Sequence, residues 1–371
     1  MIPGRRRSCC AAFSLVELLV VIGIIALLIS LLLPTINKAR RFAKSISCLS
    51  NLRQIGQAMN LYATLYDGAI PGAAATSGRH FFANPYLSTS NSAPNLLITS
   101  GSNVPPGPIS VHDWIAPLAD VMGMSLPDSP DAGVRYDAYR NMQLFLCPAN
   151  SGVISIMFAG VGSPADPGAG QQLGYATAEM FLLTSGSPTP GVTSITRIST
   201  GTNGNNSGWP IFPDGYTPKI TKVGKLSEKI YAADASKFVN TSTTVPDFFI
   251  SPSPTPNSPS RNSGPFTDNG PWTKATGAYD RSMINGQPAA TDARIFSFRH
   301  GAIGPGQPYG RLALNAVFYD GHAATLDEFE ATNPKHWLPA RSVMKSAEQF
   351  WPDVAARHAP MLSAGQRYIV P

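Results

Sequence analysis

Phe13–Leu33 is an unbroken run of 21 residues, FSLVELLVVIGIIALLISLLL, whose single charge is Glu17. At about 1.5 Å per residue a helix of this length extends ~31 Å, enough to cross the hydrocarbon core of a bilayer. A membrane-spanning helix is therefore expected over residues 13–33. Arg5, Arg6 and Arg7 precede it, and Lys38, Arg40, Arg41 and Lys44 follow it. With basic residues on both flanks, the positive-inside rule does not by itself set the orientation.

A secretory signal peptide is the first alternative. Its apolar region runs about 7–15 residues and ends at a small-x-small cleavage site. Here the run is longer and ends in LLLPTINKAR, with no such site. The small pair Ala11-Ala12 lies before the run instead. Cleavage there leaves the helix on the mature chain, whereas an ordinary secreted protein would begin beyond Leu33.

The segment Cys10-Ala11-Ala12-Phe13-Ser14-Leu15-Val16-Glu17 resembles the processing site of type IV prepilins and type II secretion pseudopilins. The resemblance implies a leader over residues 1–12, cut at the Ala12–Phe13 bond by a prepilin peptidase that also methylates the Phe13 amine. Ala12 stands where the family usually has Gly. Glu17 takes the place of the family's acidic residue, and Pro34 that of its kinking proline. An acidic residue at the centre of a spanning helix costs roughly 2.5–3.5 kcal/mol and calls for a partner. One turn from the new N-terminus, Glu17 is eased by the helix dipole. The cationic Phe13 amine of a neighbouring subunit is its expected counter-charge in a filament.

Beyond Pro34 the periodicity resumes. Phe42, Ile46, Leu49, Leu52, Ile55, Met59, Ala63 and Tyr66 recur at three- and four-residue steps, the pattern of one greasy helix face. Pro34 is expected to bend the helix rather than end it, and Asp67-Gly68 followed by Pro71 supplies the stop. Residues 34–68 thus read as an amphipathic continuation, with Asn51 and Gln54 as polar flank positions. Cys48–Gly56, Tyr66–Pro71, Phe145-Leu146-Cys147-Pro148 and Lys225–Asp234 are similar to segments of a pseudopilin-like family of planctomycete-type bacteria. Those proteins carry a C-terminal processing-associated domain with an H-x9-DG signature.

Residues 69–371 read as one β-rich globular body. Gly and Pro number 33 and 34, and only 13% of residues are charged, which favours a loop-rich body over a helical bundle. A helix is expected near His112–Met124, a strand at Phe145–Cys147, a strand or short helix at Gly174–Leu183, and a strand ending at Asp234. Residues 185–215 are turn-rich, and 251–265, SPSPTPNSPSRNSGP, read as a solvated loop. Asp320-Gly321, between the β-prone runs of Ala313–Leu326, predicts a hairpin with a type I′ turn. Phe298-Arg299-His300-Gly301 resembles the His end of the family signature, with Asp320-Gly321 as its other end. Nineteen residues separate His300 from Asp320; removing Ala302–Arg311 restores nine, which points to a loop insertion within segment 298–326.

Cys9 and Cys10 lie in the leader, and Cys48 and Cys147 in the mature chain. Whether the latter two pair is open from sequence; Cys147 reads more simply as a buried small hydrophobe than as a reactive thiol. His300, Asp320 and His322 could ligate a metal only if they converged, and Asp-Gly is already explained by turn chemistry. No metal or other cofactor is expected. Calcium in an Asp/Gly-rich loop, at Asp214 or at Asp268 and Asn269, is admitted by the resemblance, but no EF-hand spacing is present. The motifs GxSxG, HExxH and GxxxxGK are missing, so no enzyme is expected. Trp337 and Trp351 read as core residues. Without the leader arginines, 25 basic side chains oppose 22 acidic ones, a net +3 with no basic stripe, which argues against nucleic acid.

The expected architecture is α+β: a long kinked N-terminal helix, its distal half packed on an antiparallel sheet, with long loops. The resemblance implies a bacterial inner-membrane, single-pass subunit with a periplasmic or extracellular body, whose partners are prepilin peptidase and other pilin-like subunits. A membrane-anchored binding or enzymatic domain using the same export signal is the rival.

Overall fold

The structure, a computed structural model, describes residues 15–73, 113–127, 138–150, 173–185, 211–213, 215–235, 266–268, 270–272, 296–301, 311–344 and 350–371, with the backbone of several two-residue strands between them. The leader and Phe13, the loop at 251–265, Asp214 and Asn269, and most of the expected insertion at 302–311 lie outside the described residues. So do most of the turn-rich 185–215 and the side chain of Asp268. Two compact units emerge, Met1–Lys44 and Ser45–Pro371.

Helix α1 is Leu15–Leu65, 51 residues long, with Pro34 inside it. Proline removes one amide from the helix ladder. The hydroxyls of Ser30 and Thr35 donate to Leu27 O (2.8 Å) and Leu32 O (2.7 Å), so both are satisfied within the apolar segment. The helix ends where expected, one residue before Tyr66. Asp67 (φ 53°) and Gly68 (φ 75°) are both left-handed, and the Gly68 amide reaches back to Ala63 O at 2.7 Å. That bond satisfies one of the carbonyls every helix leaves open at its C-terminus.

The distal stripe is buried from Cys48 onward: Leu52, Ile55, Met59 and Ala63 sit in the core with Ala58 and Tyr62. Each large side chain so buried contributes about 1.5–3 kcal/mol. The expected stripe began earlier, but Phe42 and Ile46 remain exposed, at 69% and 52%.

The helix face lies on a six-stranded sheet. Its strands are β1 (Tyr175–Ala178), β2 (Ile230–Asp234), β3 (Thr267–Asp268), β4 (His300–Gly301), β5 (Leu312–Phe318) and β6 (Ala323–Asp327). One edge of β5 pairs with β6. The other edge takes two partners end to end: β4, with His300 opposite Ala313, and β2, with Ala233 opposite Ala316. β1 then pairs antiparallel with β2 and parallel with β3. The fold is thus the α+β arrangement expected, a long helix followed by a mainly antiparallel sheet. β5 is buried at every position, and its Asn315 and Val317 meet α1 at Ser45 and Gly56.

Some local expectations are corrected. The β5–β6 turn is not type I′: Gly321 has φ 90°, while Asp320 is not left-handed. The Gly321 amide bonds Phe318 O, and the Phe318 amide bonds His322 O, both at 2.9 Å. This is a three-residue loop, Tyr319-Asp320-Gly321, closed by a glycine bulge. Phe145 ends a 3-10 turn, Gln143–Phe145, rather than entering a strand. The Gly174 amide bonds Phe145 O at 2.8 Å, and the approach is so close that a Cβ on Gly174 would lie 2.2 Å from the Cys147 amide nitrogen. The expected helix near His112–Met124 is the shorter α2, Ile115–Val121, whose first amides bond Asp113 Oδ1. Trp337 is fully buried and Trp351 partly so.

Candidate functional site

Among the described residues, α1 is the one helix long and apolar enough to cross a membrane, and none of its apolar window is buried. Leu15 through Leu33 present leucine, isoleucine and valine side chains to the surroundings on all sides. Glu17 lies in the first described turn. An apolar surface of this extent is suited to burial against lipid or against other chains.

The body holds a second chemical concentration, at the place where β4 and β2 meet end to end on β5. Asp234 closes β2 and His300 opens β4, so the two side chains are brought together across 66 residues of sequence. His300 Nε2 lies 3.0 Å from Asp234 Oδ2, and both residues are buried. The approach is not in line with hydrogen-bond geometry, and Nε2 and Asp234 Oδ1 have no hydrogen-bond partner. Asp234 Oδ2 accepts from the Asn315 amide at 2.7 Å.

Asn315 extends the cluster to the helix. Its side-chain amide donates to Ser45 O at 3.2 Å, and its Oδ1 accepts from the Thr325 hydroxyl at 2.6 Å. Arg299 donates to Gly174 O at 3.2 Å and to Ala235 O, tying β1 to β2 at the same corner. Burial pushes its guanidinium below its ordinary range, and the Asp234 carboxylate pulls it back up.

Cys48 on α1 and Cys147 form a disulfide with Cα atoms 5.2 Å apart, within the usual range. The pairing left open by the sequence is thus a cross-link, and Cys147 is buried as expected. Both sulfurs stand beside His300 and Asp234: the four potential ligand atoms lie within 4.8 Å of one another. Asn51, one turn along α1, is not a passive flank position. Its side-chain amide donates to Gln143 O (3.2 Å) and Leu146 O (3.0 Å), fixing the Cys147 loop to the helix. Tyr175 OH points at Cys48 O (3.4 Å) and Leu146 O (3.5 Å), and burial pushes its pKa well up.

The other half of the expected signature sits elsewhere. Asp320 Oδ1 accepts from the His322 amide (3.1 Å) and contacts His322 Nδ1 (2.6 Å), which stacks on Phe318. Ala313, opposite His300, is five residues before the end of β5, so the Asp320 turn lies on the order of 15–20 Å away. His300 pairs with Asp234, not with Asp320. Sequence reasoning placed Asp234 at a strand end but gave it no partner; the signal needed was the end-to-end register of two short strands, which spacing does not carry.

Residues 7–33 match the model of the prokaryotic N-terminal methylation motif. No curated protein and no solved structure matches the chain. The match marks a prepilin-type N-terminal segment. Together with the single apolar helix it supports a prepilin- or pseudopilin-like protein anchored in a membrane.

Proposed function

We propose that the chain is a structural subunit of the pilin or pseudopilin type, assembled into a type II secretion pseudopilus or a type IV pilus-like fibre. The observation that carries this reading is one of continuity. The methylation-motif match at 7–33 runs into a 51-residue helix that is exposed and apolar at Leu15–Leu33 and core-forming from Cys48. A subunit needs both halves, one to join a bundle of like helices and one to carry a folded body.

In this reading prepilin peptidase cuts between Ala12 and Phe13 and the Phe13 amine is methylated. Glu17 receives that amine from the neighbouring subunit. The precursor enters the bacterial inner membrane with its leader in the cytoplasm, and the body lies on the other side. The body itself resembles the C-terminal H-x9-DG domain, its signature split between His300 on β4 and the Asp320-Gly321 turn beyond β5. The role is structural, not catalytic, and asks for no cofactor.

Cross-linking through cysteines placed on the apolar helix, at positions such as Leu19 and Leu27, tests the reading. Self-cross-linked ladders and recovery of the chain in sheared surface fibres are expected. A chain that stays monomeric in the membrane points instead to the tethered binding or enzymatic domain.

A further inference from the structure

We propose that Cys48, Cys147, Asp234 and His300 form a zinc site when the two cysteines are thiols, so that the disulfide and the metal are alternative closures of one cluster. The two sulfurs, an imidazole nitrogen and a carboxylate oxygen lie within 4.8 Å of one another, and all four residues are buried. Tetrahedral zinc, with Zn–S of about 2.3 Å and Zn–N or Zn–O of about 2.0–2.2 Å, sets its ligand atoms ~3.3–3.8 Å apart. The cluster needs only small side-chain movements to meet that spacing once the sulfurs are no longer bonded to each other.

Two further observations point to a ligand. Asp234 Oδ1 and His300 Nε2 are buried without a hydrogen bond, while the adjoining Asp234 Oδ2 accepts from the Asn315 amide. Leaving such buried groups unsatisfied is costly, and a cation between them would satisfy both. The local charge also closes. Two thiolates and one carboxylate carry three negative charges, and zinc with the Arg299 guanidinium carries three positive ones. With the disulfide in place, Asp234 and Arg299 balance alone. Thiolate and imidazole donors select zinc or cobalt over calcium or magnesium. The four ligands come from four separate segments — α1, the loop after the 3-10 turn, the end of β2 and β4 — so the site is a closed, structural one.

The chemistry balances in both directions. Two thiols and Zn²⁺ give a zinc dithiolate and release two protons. Oxidation of the zinc dithiolate passes two electrons to a disulfide-bearing oxidant, which takes up two protons from solvent and leaves as a dithiol; the Cys48–Cys147 disulfide forms and Zn²⁺ is released. The site itself does not depend on the pilin-like reading. Only the order of events does: a metal-held body before translocation and a disulfide-held one after it.

The test uses the full-length chain in detergent, carrying Cys9→Ser and Cys10→Ser so that Cys48 and Cys147 are the only thiols. After reduction with a phosphine, Co²⁺ is titrated without oxygen. Expected are one equivalent bound, a thiolate-to-cobalt charge-transfer band, intense tetrahedral d–d bands, and bleaching of both by one equivalent of zinc. The oxidised chain should show none of these. His300→Gln and Asp234→Asn should each weaken binding by at least about 10–100-fold, the loss that even supporting residues of metal sites produce. Circular dichroism confirms that each variant keeps its helix. The comparison of reduced with oxidised parent chain needs no substitution in the cluster. A reduced chain that gives no charge-transfer band overturns the proposal. So does a band indifferent to both substitutions, or a reduced chain that unfolds and is not restored by zinc.

Discussion

Gly56 on α1 packs against Gly321 in the β5–β6 turn with no room for a side chain between them. A Cβ on Gly56 would lie 2.6 Å from Val317 Cγ2 and 3.2 Å from Gly321 Cα. Val317 is buried and β-branched, so it has little freedom to yield. The Asp-Gly turn thus serves the helix as well as the hairpin.

From that contact, Gly56→Ala is expected to destabilise the protein by up to about 2 kcal/mol. Overpacking costs about 1–3 kcal/mol, and the helix-propensity gain of about 1 kcal/mol over glycine offsets part of it. Gly321→Ala adds strain at φ 90° and brings a methyl to 3.1 Å from Asn60 Nδ2. Denaturant midpoints of the detergent-solubilised chain measure both; a Gly56→Ala midpoint above that of the parent would contradict the packing.

The cross-link closes a loop of about 100 residues, for which the chain-entropy model gives ~4.7 kcal/mol and measurements commonly 2–4. Cys48→Ser is expected to lower stability by about 2–4 kcal/mol relative to the oxidised chain and to make the midpoint insensitive to reductant. The check is denaturant unfolding with and without a dithiol, in the presence of a chelator.

Lys229 is a buried lysine whose amine donates to Lys335 O (2.7 Å) and Pro371 O (2.8 Å). Burial lowers its pKa to about 8 from the usual 10.5, with Glu228 acting in the opposite sense. Between those values the unfolded chain holds more protons than the folded one, so stability rises with pH across that window. The rise is at most about 3 kcal/mol, from 1.36 kcal/mol per pKa unit. It should be present in the parent and missing in Lys229→Met, as read from melting temperature between pH 8 and 10.5; parallel profiles would argue against it.

Glu17→Ala is expected to leave membrane insertion intact and to reduce filament incorporation, because removing the charge relieves the cost of insertion while deleting the partner of the Phe13 amine. Fractionation into membrane and sheared fibre separates the two effects. Unchanged incorporation would remove Glu17 from the assembly mechanism.

Much of the scaffold was legible in the sequence because it depends on local pattern. Leu52, Ile55, Met59 and Ala63 repeat at helical spacing, and their face is buried. Phe42 and Ile46 repeat equally well but stay exposed: periodicity identifies an apolar face without saying where the body starts to cover it. Asp320-Gly321 announced a turn, yet the turn type depended on Tyr319 joining the loop, which the dipeptide does not specify. The His300–Asp234 contact and the Cys48–Cys147 bond were illegible. The first arises where two strands from distant segments share one edge of β5, the second where the loop after the 3-10 turn meets α1, and no local spacing encodes either meeting.

The central claim, a prepilin-type precursor that becomes a helix-assembled subunit, rests on what happens at one bond. Intact-mass and N-terminal sequencing of the chain recovered from its native membrane measures it directly. The account predicts a mature chain beginning at Phe13 with a methylated amine. A chain still beginning at Met1, or one beginning beyond Leu33, would contradict it.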